Sequence, residues 1–150
     1  MSTPNPASSD VAPPQRRMLL NAFSMNCVSH IHQGLWARDD TRQRDFGQLA
    51  PWIELAQILE SGCIDALFLA DVVGVYDVFR GGADVSIKQA TQIPVNDPAL
   101  LIPAMAHAPE HLGFAYTSSV LQMRPFTFAR QVSTLDHLTG GRVGWNVVTS

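Results

Sequence analysis

The sequence predicts an α/β protein built on a parallel sheet, and three observations predict it. Short apolar runs alternate with amphipathic stretches of helical period; no convincing hairpin signal joins two apolar runs; and one run, Ile64 to Ala70, is apolar at nearly every position. A parallel strand covered on both faces reads as such a run, and strands alternating with helices make βαβ units. Right-handed crossovers leave two architectures open for this chain, a doubly wound sheet or a (β/α) barrel.

Residues 1–17, MSTPNPASSDVAPPQRR, are polar, rich in Pro and Ser, and lack the apolar centre of a signal peptide, so they read as a disordered tail. Residues 18–150 read as the structured part. Met18 to Ser24 (MLLNAFS) is expected as a first strand. Trp52, Leu55, Ala56 and Leu59 recur at i, i+3, i+4 and i+7 and predict a helix from Leu49 to Ser61, with Gly62 as its stop. Ile64 to Ala70 (IDALFLA) is the second strand. Asp97-Pro98 supplies an N-cap and a first-turn proline for a helix to about Ala108, which Pro103 should kink. Leu112 to Val120 is the third strand. Pro125 opens a helix expected to bury Phe128, Val132, Leu135 and Leu138; Gly140-Gly141 ends it, and Arg142 to Thr149 (RVGWNVVT) is the fourth strand.

Composition excludes several function classes. The chain is 46% hydrophobic and 15% charged, with a formal net charge of −3 and no basic run, so nothing here neutralises a nucleic-acid backbone. No apolar run approaches the roughly 20 residues of a membrane span. Cys27 and Cys63 have no motif spacing and predict free thiols in a cytoplasmic protein. A glycine-rich dinucleotide fingerprint, a Walker loop and a nucleophile elbow are all absent, and Gly81-Gly82 reads as a loop tip.

Loop lengths point to an enzyme. The helix-to-strand joints are tight, whereas two strand-to-helix joints, Met25 to Gln48 and Val72 to Asn96, are long. Parallel α/β folds build their sites from strand-to-helix loops at the carboxyl ends of the strands. Asp71 is delivered there by the second strand, either to cap loop amides or to contact a ligand. Thr117, Ser118 and Ser119 cluster near the end of the third strand; alternation sends Thr117 and Ser119 to one face and Ser118 to the other. They either offer hydrogen bonds to a flat polar ring or satisfy local backbone. On the fourth strand Asn146 needs a partner in the core or a ligand, because a buried amide left unsatisfied costs stability. Thr149 and Ser150 lie at that strand's end. His30 and His32 stand near Trp36 in the first long loop. They lack a third ligand at recognisable spacing, so they suit substrate-side or proton-handling roles better than metal binding. His107, His111 and His137 read as structural.

Several of these segments together resemble the bacterial-luciferase-like superfamily, in the branch that holds the nitrilotriacetate, dibenzothiophene-sulfone and long-chain alkane monooxygenases. STLDHLTGGRVGWNVVTS (Ser133 to Ser150) is the most specific match. CIDALFLAD (Cys63 to Asp71), EHLGFAYTSS (Glu110 to Ser119) and VSHIHQGLW (Val28 to Trp36) support it. The resemblance implies the first half of a (β/α)8 TIM barrel. It also implies an oxidoreductase that takes reduced FMN (FMNH2) from a separate NAD(P)H:flavin reductase and oxidises a small organic substrate with O2. Asp71, Thr117 and Asn146 match flavin-pocket positions of the family; no catalytic residue and no metal is implied, and the complete enzyme is expected to be a homo-oligomer. Members of the branch are much longer, so the chain is expected to be a fragment or a truncated product, without the phosphate-binding loops after strands seven and eight. A deazaflavin-dependent oxidoreductase on the same barrel, and a non-catalytic remnant or interaction module, are the alternatives.

Overall fold

Four short parallel strands form the sheet: β1 (Asn21–Met25), β2 (Ala66–Ala70), β3 (Gly113–Ser119) and β4 (Val143–Val148), side by side in sequence order. The computed structural model describes residues 17–28 and 34–149. Residues 1–16 of the expected 1–17 tail, His30, His32 and Ser150 lie outside the described residues.

The register separates the two faces of the sheet. Phe23 pairs with Phe68, Phe68 with Ala115, and Ala115 with Gly144. Their neighbours one position along, Leu67, Leu69, Phe114 and Tyr116, point the other way. These are buried against Trp52 and Ala56 of α1 (Leu49–Ser61), Ile102 and Met105 of α3 (Pro98–Ala106) and Leu135 of α4 (Pro125–Thr139). None of Phe23, Phe68, Ala115 and Gly144 belongs to that core. A doubly wound sheet carries helices on both faces and reverses its strand order. Strands in sequence order with the helical core on one face make the first half of a (β/α)8 barrel.

The helix expected from the period of its apolar positions is found over Leu49–Ser61. Its stop differs in detail: Gly62 keeps a negative φ, and Cys63 takes the left-handed turn at φ 57°, with the Ile64 amide donating to the Leu59 carbonyl. The third expected helix buries Leu135 and Thr139 and leaves Leu138 64% exposed. Positions 128, 132, 135 and 139 make one stripe at 3.6 residues per turn, and 138 falls off it. α3 runs on through Pro103 and ends at Ala106. β1 starts at Asn21, later than expected, because Leu20 turns its amide to the Asp65 carboxylate (2.9 Å). Arg17, the last residue of the expected tail, is ion-paired with the same carboxylate at 2.6 Å. A short helix, α2 (Asp84–Lys88), lies in the second long loop, where five residues offer no period to read.

Two side chains knit the amino ends of the strands. Glu60 Oε1 accepts from the Glu110 and His111 amides at 3.0 and 3.1 Å, joining α1 to the turn before β3. Burial alone would raise its pKa; the amides outweigh that and hold it below the usual carboxylate range. The stability it contributes is therefore present above the ordinary Glu pKa and lost as pH falls through the lowered one. Arg142 Nε donates to the Thr139 carbonyl (2.8 Å), Nη1 to that of Leu112 (2.9 Å) and Nη2 to that of Ala106 (2.8 Å), clamping the ends of α4 and α3 to the start of β3.

Gly140 and Gly141 close α4 as a Schellman motif: Gly141 donates to the Asp136 carbonyl at 2.9 Å and Gly140 to His137 at 3.3 Å. Gly140 sits at φ 64°, where an added Cβ strains the backbone by about 1–2 kcal/mol. Gly140→Ala should therefore lower the melting temperature of the full-length protein, read by scanning calorimetry; an unchanged midpoint would contradict this cap.

Candidate cofactor site at the strand tips

The two long loops meet above the carboxyl ends of the strands. Trp36 Nε1 donates to the Gln89 carbonyl at 3.1 Å, and the Asn96 amide to the Asn26 carbonyl at 2.8 Å. Cys27 forms an isolated antiparallel bridge with Val95. Cys27 is buried and Cys63 exposed, and no disulfide joins them. Each loop is thus held by the other, which gives the strand tips a fixed roof edge.

Beneath it, a cavity of about 310 Å³ lies over the ends of β2 and β3. Asp71 and Thr117 both line it, so two of the three residues picked from the sequence come together. Asn146 joins them through the register: it pairs with Thr117 across β3 and β4, and its Nδ2 donates to Thr117 Oγ1 at 3.0 Å. Asn146 is half-buried rather than buried, and Thr117 is the partner its amide needed. Ser119 satisfies local backbone, accepting from the Leu121 amide at 3.2 Å. The Ser118 carbonyl accepts from Trp145 Nε1 at 2.9 Å.

Asp71 holds its proton more tightly than an ordinary Asp, first because burial penalises its charge and then because Asp97 stands near; the Val72 amide partly opposes this. Asp97 has its expected role as N-cap of α3, with Oδ1 accepting from the Ala99 amide at 2.8 Å, and it also lines the cavity. Burial and then Asp97 raise the Tyr116 phenol in the same way.

Two residues of this cavity escaped the sequence reading. Tyr116 is 1% exposed and its hydroxyl has no hydrogen-bond partner; the Gln131 Oε1 of α4 is also buried without one. Tyr116 reads in sequence as a core aromatic on the face of Phe114. The available signal was that a buried tyrosine needs a partner for its O–H. The backbones of His107, His111 and His137 sit at element ends: His107 caps α3, the His111 amide donates to Glu60, and the His137 carbonyl accepts from Gly140. Among the described residues no group of three or more His, Cys, Asp and Glu is arranged to hold a metal.

A larger groove of about 540 Å³ runs along β1 and α1, lined by Phe23, Met25, Trp52, Leu55 and Ile58. It holds none of Asp71, Thr117 and Asn146. It is the flank of a sheet whose β1 pairs, among the described residues, only with β2.

Residues 24–150 match the family model described as luciferase-like monooxygenase. The long-chain alkane monooxygenase of Geobacillus thermodenitrificans is 54% identical over 90% of this chain and 31% of its own length. The dimethyl-sulfide monooxygenase of Hyphomicrobium sulfonivorans is 50% identical over 91% and 28%. Component A of the nitrilotriacetate monooxygenase of Aminobacter aminovorans is 33% identical over 82% and 28%. Among solved structures, a long-chain alkane monooxygenase superposes with a TM-score of 0.88 at 54% identity, over 91% of this chain and 31% of its own. A riboflavin lyase solved with a modified FMN and riboflavin gives 0.82 at 33% identity, over 90% and 30%. The chain therefore spans about a third of the length of the relatives it matches. It belongs to the luciferase-like monooxygenase family.

Proposed function

We propose that the protein carrying this chain is a monooxygenase that uses reduced FMN, supplied by a separate NAD(P)H:flavin reductase, to oxidise a small organic substrate with O2. The observation that carries the reading is the meeting of three polar side chains at the carboxyl ends of parallel strands in a chain of this family: Asp71 and Thr117 line one cavity, and Asn146 donates to Thr117. The alkane and dimethyl-sulfide relatives are named for oxygenation of small organic compounds, and the nitrilotriacetate relative is named as one component of a system.

The inner face fits a flat ring system. Phe23 and Phe68 meet edge-on with centroids 5.3 Å apart, and beside them in register stand Ala115 and Gly144. A Cβ added at Gly144 would touch the Ala115 Cβ at 3.5 Å, so the glycine keeps that shelf low. Above it, Thr117 accepts from Asn146, which leaves its own O–H to donate, while Asp71 offers acceptors. These three would hold the polar edge of the isoalloxazine, and the aromatic pair would exclude water from one side of it. When bound, reduced FMN supplies the electrons that activate O2; the chain's part is to bind, orient and shield. The phosphate would sit on loops after the last strands of the complete barrel, as this fold generally arranges it.

No described residue favours a deazaflavin hydride carrier over this reading, and the relatives named above at 50% identity or more are monooxygenases. Among the described residues no helix is long and apolar enough to cross a membrane; a cytoplasmic location and assembly into a homo-oligomer are part of the proposal. With NADH, FMN and O2, the full-length protein should form product only when a flavin reductase is added. Sustained NADH consumption by the protein alone would contradict the two-component reading.

A further inference from the structure

We infer that the cavity over the ends of β2 and β3 binds a compact cation, held by oxygen atoms of Asp71, Asp97, Tyr116 and Gln131. Two carboxylates share this space, and among the described residues no basic side chain lines it. The ion pairs of the described residues lie elsewhere, at Arg17–Asp65, Arg38–Asp40 and Arg42–Glu54. Asp97 spends Oδ1 on capping α3, which leaves its second oxygen unassigned. The Tyr116 hydroxyl is an independent sign of a missing occupant. The residue is 1% exposed, the hydroxyl has no partner, and it feels the charge of Asp97. Gln131 Oε1 adds an acceptor, also buried and without a partner. Buried polar atoms are seldom left unsatisfied, and orphans facing one cavity call for a group that binds oxygen.

The donor set selects the chemistry. Carboxylate, phenol and amide oxygens are hard ligands, suited to Ca²⁺, Mg²⁺ or K⁺ rather than to metals that need thiolate or imidazole. An ammonium group of a ligand offers the same charge with N–H donors. A cation here would relieve the repulsion between Asp71 and Asp97 and would give the Tyr116 and Gln131 oxygens a partner.

The inference uses Asp71 but stands apart from the flavin proposal, and one experiment separates them. The full-length, flavin-free protein is titrated with CaCl2, MgCl2, KCl and methylammonium chloride, against choline chloride at equal ionic strength, while the melting temperature is followed. One of the four should raise it saturably, as binding to the folded state requires. Asp71→Asn should abolish the response, and Tyr116→Phe, which keeps the packed ring and removes an unpartnered hydroxyl, should shift its midpoint to at least several-fold higher concentration. Response to methylammonium alone would assign the site to an ammonium-bearing ligand; response to a metal salt would assign it to the ion. No saturable response beyond choline, or an equal response in Asp71→Asn, would overturn the inference. FMN quenching measured separately in cation-free buffer tells the two apart: flavin binding without a cation response removes only this site.

Discussion

Arg142→Ala should destabilise the full-length protein by about 3 kcal/mol, because hydrogen bonds to a charged donor contribute roughly 1.5–3 kcal/mol each and are not additive. The guanidinium reaches three backbone carbonyls at once, on Thr139, Leu112 and Ala106. Two of these close helices, α4 and α3, whose carboxyl ends carry partial negative charge that a cation complements. Truncation leaves the Leu112 and Ala106 oxygens without this donor and loosens β3 where it begins. Arg142→Lys should recover only part of the loss, since an ammonium lacks the planar fork that spans separate acceptors. Flavin affinity should stay within error in the folded fraction, because the clamp lies at the opposite end of the strands from Asp71 and Thr117. An unfolding free energy within about 0.5 kcal/mol of the parent, the usual range for a surface substitution, would contradict the clamp.

Produced by itself, the 150-residue chain should associate or stay molten rather than form a well-packed monomer. Among the described residues β1 and β4 each pair on one side only, and open strand edges template association. Val147 is 55% exposed and Phe23 49%, and an apolar groove flanks β1. Apolar surface of this extent marks a missing partner. A domain's net stability is only about 5–15 kcal/mol, so losing the burial that a closed barrel provides leaves little margin. Size-exclusion chromatography and amide hydrogen exchange check this. A monomer with slow exchange throughout β1 and β4 would show the half-barrel to be self-sufficient.

Where a pattern repeats, the sequence carries it. α1 is legible because four apolar residues share one stripe, and α4 because Pro125 and Gly140 mark its ends. The strand-tip site is legible as far as polar residues interrupt apolar runs: Asp71 after LFLA, Thr117 in FAYTSS, Asn146 in VGWNVV. Features that depend on reach across the fold are not. Arg142 reads as the start of a strand, and nothing in its neighbours names three distant carbonyls. Leu138 looks like core from its chemistry, yet the helix carries Thr139 inward instead. Tyr116 and Gln131 face one cavity only in the folded chain; beyond the general need of a buried tyrosine for an O–H partner, nothing in the sequence links the two.

Anaerobic titration of the full-length protein with reduced FMN tests the central claim most directly, comparing the parent with Asp71→Asn. Binding should be saturable and should weaken in the variant by about 1.5–3 kcal/mol, the worth of a hydrogen bond to a charged group, or roughly tenfold to 150-fold in Kd. The melting temperature should hold or rise. Burial and Asp97 raise the Asp71 pKa in the folded state, so its charge costs stability above the ordinary Asp pKa, a cost that fades as pH falls through the raised one. The variant removes that cost at neutral pH. Weaker flavin binding with undiminished stability would establish a residue kept for its ligand. Unchanged flavin affinity with a lowered melting temperature would show that Asp71 only caps its loop, and that it is not part of the flavin site.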